Sequence, residues 1–534
     1  MPQGIAPATA SFHYRYLQLV DQVERNFPVV RWKIGDMEVW PLARMQLYLD
    51  MYRANAGDAL PKPSARPLPL RVAARVATPV RNLWTSRRDL AHCVTRPRPA
   101  DAIFLGDGVS LDRVDGQWRD RFAEPLIAAL ERRGRTAFVI EGGNLGRLPW
   151  HRPTYAGNLI EARGFLTALG RKHPGELPEH EGVLEFLAGN GVQAPSLSRP
   201  ALERFATTVL ATATAFERVL RIVKPKLAFV VTYYSGLGPA FLLACRRQGI
   251  LSVDLQHCAQ EGAHKAYCWS SLPATGYSTL PAVCWNWTEA DAAYNRGWAS
   301  RLPLPWHSAL HGGHTQLVPF LDANDPTTRM WDARFSAIGG GVTFEREILI
   351  ALQPIHGHRG IWNSLASQIE AAPSTWRWWI RRHPATAPLH DSEYQCLLAL
   401  RRPNVLIEEA SSLPLPALLR HMSVLLSVAS GAAEEASMFG VPAFFLSEEA
   451  RSPFGNLIEK GCAAIIDIHA LEGEIWGTPR APHRPGANRA PDPCETLLQL
   501  ESMARDYAQL CQSVGRGSIQ RGSIERRRRG FGDP

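Results

Sequence analysis

Short apolar runs alternate with amphipathic stretches that end in glycine through most of this 534-residue sequence. The alternation begins with DAIFLGDG, FAEPLIAALERRG and TAFVIEGG, and it returns after residue 345 with EILIALQP, a helical pattern and TWRWWIRRHP. A strand, a helix that stops at glycine and a second strand form a βαβ unit. The runs are almost wholly apolar, which is typical of parallel strands buried on both faces. The sequence therefore predicts an α/β protein with two Rossmann-like, doubly wound domains that face a cleft.

Composition divides the chain into five segments. We predict a helical N-terminal segment at 1–60, a basic linker or membrane-surface segment at 61–100, Rossmann-like domains at 101–335 and 336–514, and a disordered basic tail at 515–534. The strongly apolar run 227–245 contains no charged residue and has about the length of a membrane span. Because Ser235, Gly236, Gly238 and Pro239 interrupt it, we interpret it as strand, loop and helix.

The net charge of +9 is concentrated outside the two predicted domains. Residues 61–100 carry nine basic residues against Asp89, and residues 515–534 carry six against Glu525 and Asp533. The rest of the chain is slightly acidic, which argues against a folded nucleic-acid binder with a basic groove. Arginines interspersed with Val, Leu and Trp in 71–90 suit an anionic membrane surface; a solvated linker is the alternative.

Short motifs exclude several classes of protein. The nine cysteines form no C-x-x-C pair, so neither a zinc ribbon nor a disulfide framework is indicated. The N-terminus lacks a basic stretch followed by an apolar core, which predicts a cytoplasmic protein. G-x-G-x-x-G, the P-loop, H-E-x-x-H and D-x-D are all missing from the sequence, so we expect chemistry without a metal or a dinucleotide.

Ligands of open α/β sheets bind beyond the carboxyl ends of strands, and polar clusters follow several apolar runs. The first cluster, DLQHCAQEGAHKAY, brings a carboxylate and two imidazoles into one loop, as acid–base transfer requires. Its members are Gln256, His257, Glu261, His264 and Lys265. Asp107, after the run AIFLG, is a competing base. The alternatives are a hydrogen-bonded loop that caps its strand, and for Asp107 a helix cap.

Two further clusters lie in the second half of the chain. The run WWI ends in Arg381, Arg382, His383 and Pro384, where paired guanidinium groups suit an anionic leaving group. The run SVLLSVAS ends in small residues that open a helix, and Glu434 and Glu435 lie in its first turns. An ordinary strand end and a solvated helix cap are the alternatives.

Four motifs in the second half resemble the nucleotide-binding half of bacterial GT-B glycosyltransferases, most of all the sialyl- and Kdo-transferases of surface polysaccharide synthesis. They are LQP (352–354), RRHP (381–384), EEASSLPL (408–415) and SGAAEEASMFGVP (430–442). The resemblance implies that His383 and Ser430 hold the phosphate of CMP and that Glu435 meets the ribose. Gly431 stands where that family often has Ser or Thr. The implied donor-binding residues are Gln353, Arg382, His383, Pro384, Ser430, Gly431 and Glu435.

The first half resembles capsule and O-antigen transferases of the same group. The shared motifs are the leader IGDMEVWPLAR (34–44), DLQHC with GAHKAY, W-x-W (285–287) and HGG (311–313), with Cys258 in place of a glycine. Gln260-Glu261-Gly262 matches the last two positions of an acidic motif that supplies the base. The resemblance thus implies Glu261 as the base with Asp107 in reserve, and Gln256, His257 and His264 in the acceptor or sugar pocket.

Together these patterns predict a metal-independent glycosyltransferase with Glu261, His383 and Asp107 as catalytic candidates. The donor is expected to be a CMP-sugar of Kdo or sialic-acid type, used as substrate, with no cofactor. The acceptor is expected to be a surface glycan or glycolipid, bound at the inner face of the bacterial inner membrane, with no nucleic-acid partner. Three alternatives stay open: a UDP- or GDP-sugar or CDP-glycerol-type transferase, a non-catalytic assembly scaffold, and nucleic-acid binding by the arginine tail.

Overall fold

The structure, a computed structural model, describes residues 12–56, 96–114, 116–142, 150–260, 264–338, 342–353, 358–383, 393–477 and 491–529, the last fifteen as backbone only. Glu261, Pro384 and most of the basic segment 61–100 lie outside the described residues.

The first sheet has seven strands, all parallel. Their spatial order is Ser308–His311, Val283–Asn286, Leu251–Leu255, Leu227–Val231, Ala102–Gly106, Ala137–Glu141 and Thr154–Ala156. Starting from Ala102–Gly106, the next strands of this sheet along the chain are added on one side of it. Leu227–Val231 then pairs with its other side, and the remaining strands are added beyond Leu227–Val231. Such a reversal opens a crevice beyond the carboxyl ends of the two central strands.

The second sheet has six parallel strands with the same kind of reversal. Their spatial order is Val405–Leu406, Trp376–Arg381, Arg346–Ala351, Val424–Ser427, Ala443–Phe445 and Ala463–Ile465. The reversal falls between Arg346–Ala351 and Val424–Ser427. The two parallel sheets confirm the predicted pair of Rossmann-like domains, which is the GT-B architecture.

Alternate residues of each central strand enter cores on opposite faces of the sheet. Ile103 and Leu105 belong to one core of the first domain, whereas Phe104 packs into the other. In the second domain Ile348 and Leu349 separate in the same way. Successive side chains of a strand point to opposite faces, so a strand covered on both sides needs a continuous apolar run.

Helices cover both sheets. Those of the first domain are Ala123–Arg132, Gly157–Ala168, His180–Gly189, Arg199–Val223, Gly238–Gln248 and Glu289–Ala299. Those of the second are Val318–Leu321, Pro326–Ile338, Arg359–Ala371, Gln395–Leu398, Glu408–Ser412, Leu415–Leu419, Ala432–Met438, Gly455–Glu459 and Leu471–Gly477. The run 227–245 forms the strand Leu227–Val231, a loop and most of the helix Gly238–Gln248, as predicted. No helix among the described residues is long and apolar enough to cross a membrane.

The N-terminal extension consists of the helices Phe12–Asn26 and Trp40–Ala56. Two short strands between them, Lys33–Ile34 and Met37–Glu38, pair with each other, and Lys33–Ile34 also pairs with Gly175–Glu176 of the first domain. Buried residues such as Trp32 and Trp40 join the extension to the core of that domain. The helical extension predicted from the sequence is thus packed as part of the first domain.

The last helix, Pro493–Arg529, returns to the first domain. Leu497, Leu500 and Tyr507 pack into the core that covers one face of the first sheet. The sequence had placed this helix with the second domain, because order along the chain does not reveal which sheet a terminal helix covers. The helix also continues into the segment that we expected to be disordered, where no proline interrupts it before Pro534.

Candidate functional site

The carboxyl-terminal edges of the two sheets meet. Cys258, three residues after the strand Leu251–Leu255, lies against Gly431, four residues after Val424–Ser427. A Cβ atom on Gly431 would lie 3.8 Å from the Cβ atom of Cys258. Ala259 also packs against a core of the second domain. The edges at which parallel sheets bind ligands therefore face each other across one cleft.

Asp107 lies at the reversal of the first sheet, directly after the strand Ala102–Gly106. One carboxylate oxygen accepts hydrogen bonds from the N–H groups of Val109 and Ser110, at 2.8 and 2.7 Å. The other accepts from the Ser110 hydroxyl at 2.9 Å and from the Thr232 hydroxyl at 3.4 Å. Val109 and Ser110 belong to the loop that leads into the strand Leu111–Val114, so Asp107 holds this loop and does not cap a helix. Asp107 stays the reserve base.

Gln256 holds the loop that follows the strand Leu251–Leu255. Its amide nitrogen donates to the carbonyl of Cys258 at 3.0 Å and to the Asp291 carboxylate at 3.2 Å. Its amide oxygen accepts from the N–H of Trp287 at 2.7 Å and from the Asn286 side chain at 3.3 Å. All four hydrogen-bonding positions are thus occupied. Gln256, predicted for the acceptor or sugar pocket, is a positioning residue in this structure.

The two histidines of the loop are connected through a tyrosine hydroxyl. Tyr234 Oη lies 3.2 Å from Nε2 of His257 and 3.3 Å from Nε2 of His264. The N–H of Ala266 donates to Nδ1 of His264, so the neutral ring carries its proton on Nε2. Nε2–H of His264 then donates to the Tyr234 hydroxyl, and that hydroxyl donates to Nε2 of His257. This arrangement leaves Nδ1–H of His257 as a buried donor with no partner among the described residues.

Both imidazoles are held neutral at pH 7. Burial lowers the pKa of His257 to about 4, with Lys265 acting in the same direction and Asp107 opposing it. Burial lowers the pKa of His264 well below its usual value, assisted by Lys265 and His257. The Lys265 ammonium lies over the ring of Tyr48, 4.7 Å from its centroid. Neutral rings both donate and accept hydrogen bonds, as a sugar pocket requires.

His257, Cys258 and His264 place their ligating atoms within 4.8 Å of one another, close enough for a transition metal. The hydrogen-bonding pattern does not fit one. Nδ1 of His264 accepts from the N–H of Ala266, whereas a ligating histidine normally donates from its second nitrogen. That the reaction needs no metal stays a prediction.

The reversal of the second sheet is held by Gln353. Its side-chain amide both donates to the carbonyl and accepts from the N–H of Ala429, the latter at 2.8 Å. Beyond Ala429, the Ser430 hydroxyl accepts from the N–H of Ala432 at 3.3 Å. The helix that follows has only seven residues. Gln353 thus fixes the backbone that presents Ser430.

The two arginines before His383 do not form the paired cation that the sequence suggested. Arg381 is buried and donates to the carbonyls of Ala410 and Leu413. Arg382 instead forms an ion pair with the exposed carboxylate of Glu408, at 2.6 Å. Successive residues of a strand point to opposite faces, so the side chains of Arg381 and Arg382 diverge. Arg382 and the half-buried His383 remain the predicted donor-binding residues at this strand end.

Glu435 enters the cleft opposite a histidine that the sequence analysis missed. Burial raises the pKa of Glu435 to about 7, with Arg121 and Arg381 opposing and Asp112 adding to the rise. Its Oε2 lies 4.0 Å from Nε2 of His314, which belongs to the first domain. A signal was present in the sequence, because His314 comes directly after the HGG motif at the end of an apolar run.

Another buried carboxyl lies on the strand Leu251–Leu255 and helps to position the loop that follows this strand. Asp254, fully buried, accepts from the hydroxyl of Tyr267 at 2.6 Å and from the N–H of Tyr233 at 3.3 Å. Burial raises its pKa to about 7, and these two hydrogen bonds oppose the rise. In the unfolded chain the pKa of Asp is about 3.9. The group therefore stabilises the fold below pH 4, and that contribution is lost as the pH rises towards 7.

We expect Asp254→Asn to flatten the fall in stability between pH 5 and 7.5, because asparagine does not ionise. Urea denaturation at several pH values measures the effect, with the exposed Asp506→Asn as the control. A pH dependence that is the same in Asp254→Asn and in the wild type would contradict the expectation.

No family model matches the chain, and no curated protein matches it. Among solved structures it is similar to UDP-GlcNAc 2-epimerase from Methanocaldococcus jannaschii, with 13% identity, a TM-score of 0.45, and coverage of 75% of this chain and 98% of that one. The Neisseria meningitidis enzyme of the same name, bound to UDP-GlcNAc, has 16% identity, a TM-score of 0.46, and coverage of 74% and 98%. The glycosyltransferase SnogD from Streptomyces nogalater has 14% identity, a TM-score of 0.35, and coverage of 78% and 99%. At these scores the similarities assign no activity to the chain.

Proposed function

We propose that this protein is a glycosyltransferase that uses a nucleotide-sugar donor in the cleft between its two Rossmann-like domains. The observation that carries the proposal is the meeting of both carboxyl-terminal sheet edges at Cys258 and Gly431. Buried polar atoms of His257, His314 and Glu435 have no hydrogen-bond partner among the described residues around this cleft. A cleft with a few convergent, unpartnered polar groups is what a polyhydroxylated ligand requires.

The second domain binds the nucleotide in this proposal, with His383 and Ser430 at the phosphate and Glu435 at the ribose. Gln353 supports the site by fixing Ala429 next to Ser430. Arg382 can exchange Glu408 for a phosphate oxygen at small cost, because Glu408 is 78% exposed and such surface pairs contribute about 0–1 kcal/mol. The donor is a CMP-sugar of Kdo or sialic-acid type.

Transfer takes place at the first domain. In an inverting reaction the Glu261 carboxylate takes the proton of the acceptor hydroxyl, and the acceptor oxygen forms a bond to the anomeric carbon of the donor sugar. The bond from that carbon to the phosphate oxygen breaks, and the departing nucleotide keeps the electron pair and is stabilised by His383. The unpartnered Nδ1–H of His257 donates to a sugar oxygen, and Tyr234 and His264 hold the ring in that tautomer. The acceptor is a bacterial surface glycan or its lipid-linked precursor.

The enzyme is proposed to act at the inner face of the membrane. In the sequence, segment 61–100 carries nine basic residues, and those of 71–90 are interspersed with Val, Leu and Trp. Each basic residue near an anionic lipid surface contributes about 1 kcal/mol. Attachment by this segment would hold the cleft near a lipid-linked acceptor.

Thermal unfolding in the presence of CMP, UDP, GDP, CDP or AMP tests the function. We expect CMP to raise the midpoint of the wild type, because a ligand at 100 times its Kd adds about 2.7 kcal/mol to folded-state stability. His383→Ala should lose this shift, whereas His469→Ala, an exposed histidine of the same domain, should keep it.

The pattern across nucleotides separates the alternatives. A shift with UDP, GDP or CDP in place of CMP would keep the transferase and change the donor. If none of the five nucleotides shifts the midpoint at high concentration, the transferase is refuted and a non-catalytic scaffold becomes the better hypothesis.

A further inference from the structure

His314 is buried in the cleft with both ring nitrogens unused. It lies three residues after the edge strand Ser308–His311 and is 4% exposed. Its ring stacks on that of Trp287, with the centroids 3.9 Å apart. Neither nitrogen has a hydrogen-bond partner among the residues that the structure describes.

Two other buried histidines of the same domain are hydrogen-bonded. Nδ1 of His307 lies 2.7 Å from the carbonyl of Pro281, and its Nε2 accepts from the N–H of Tyr277 at 3.1 Å. Nε2 of His180 lies 2.8 Å from a backbone carbonyl. A buried polar group left unsatisfied costs about 1–3 kcal/mol. The open nitrogens of His314 therefore indicate a partner that arrives from solution.

Glu435 faces this ring from the second domain. The distance of 4.0 Å between Nε2 of His314 and Oε2 of Glu435 is too long for a hydrogen bond, and Oε2 has no partner among the described residues. An ion pair is also excluded, because burial lowers the pKa of His314 to about 3 and leaves the ring neutral at pH 7. A single oxygen atom placed about 2.8 Å from each of the two atoms would hydrogen-bond to both.

We propose that His314 and Glu435 together bind one hydroxyl group of the ligand in the cleft, an inference that rests on the proposed function. Nε2–H of His314 donates to the hydroxyl oxygen, and the hydroxyl donates to Oε2 of Glu435. The hydroxyl belongs to a sugar ring, either the ribose of the nucleotide or the transferred sugar. Because its two partners come from different domains, this hydroxyl also ties the domains together.

Binding measurements by calorimetry on the full chain test the subsite. The probes are CMP, 2′-deoxy-CMP, 3′-deoxy-CMP and CMP-N-acetylneuraminate, with the corresponding UDP or GDP compounds if one of those nucleotides gives the thermal shift. His314→Phe keeps the stacked ring and removes both nitrogens, and we expect it to weaken binding about 10-fold. His314→Gln places an N–H near the same point and should restore most of the loss.

The probes identify which hydroxyl is bound. If the ribose is the source, the wild type discriminates against one deoxynucleotide and His314→Phe does not. If the transferred sugar is the source, the variant loses only the extra affinity of the nucleotide-sugar over the nucleotide. Glu435→Met should give the same pattern. The double variant should bind no more weakly than either single variant, because all three variants lose the hydrogen bonds to the same ligand hydroxyl.

Two results would overturn the inference. Folded His314→Phe and Glu435→Met variants that bind every probe as the wild type does would remove the subsite and leave the transferase intact. A wild type that binds none of the nucleotides or nucleotide-sugars would refute both the subsite and the proposed function.

Discussion

Arg44→Met is expected to destabilise the folded protein by about 3–5 kcal/mol, because it leaves a buried carboxylate without its partner. The guanidinium, 1% exposed, donates to Glu24 at 2.9 Å and to the carbonyls of Lys265 and Cys268 at 2.9 and 2.7 Å. It also lies over Trp269, 4.1 Å from the ring centroid. These contacts attach the N-terminal extension to the segment that follows His264. Urea denaturation, with hydrogen exchange to resolve the two domains, measures the loss.

Arg53→Met, on the same helix, provides the matched control. Arg53 is 59% exposed and pairs only weakly with Asp50, at 3.4 Å, so its loss should change stability by less than about 1 kcal/mol. Adding Glu24→Gln to Arg44→Met should recover part of the stability, because no charge is then left unpaired. Equal effects of Arg44→Met and Arg53→Met would refute the anchoring role.

Glu261→Gln is expected to lower kcat by about 10²–10⁴-fold with little change in donor affinity, as removal of a general base does. Gln keeps the size of the side chain and cannot take the acceptor proton. Release of the nucleotide from the donor, in the presence of acceptor, measures turnover. The nucleotide-induced shift in the unfolding midpoint reports donor affinity independently.

Asp107→Asn discriminates between the two candidate bases. The oxygens of Asp107 accept from Val109, Ser110 and Thr232, so this change should act on the loop and lower turnover far less. Full turnover in Glu261→Gln together with inactivity of Asp107→Asn would reverse the assignment and make Asp107 the base.

The fold was predictable because its signal is local. Runs such as AIFLG and LAFVV are apolar without a break, and these strands are buried along their whole length. The placement of the last helix was not predictable, because Leu497 and Tyr507 would serve equally well against either sheet. Packing against a core distant in the chain decides that question.

The candidate site was predictable by location more than by role. Residues that directly follow apolar runs do lie at the cleft, as Cys258 and Gly431 show. Gln256 and Arg381 were selected by the same rule, yet the fold uses both inside its own loops. His314 obeyed the rule and was missed, because its significance depends on Glu435 in the other domain.

By itself the sequence determined two doubly wound sheets and the strand ends at which ligands bind. Hydrophobic periodicity and the positions of glycines determine secondary structure over a few neighbouring residues. Tertiary structure decided which polar side chains face the cleft. A buried amide or guanidinium bonds to whatever groups the fold brings near it, and these lie up to 35 residues away for Gln256 and 224 for Arg44. Whether a histidine is structural or open to a ligand therefore depends on neighbours that local sequence does not encode.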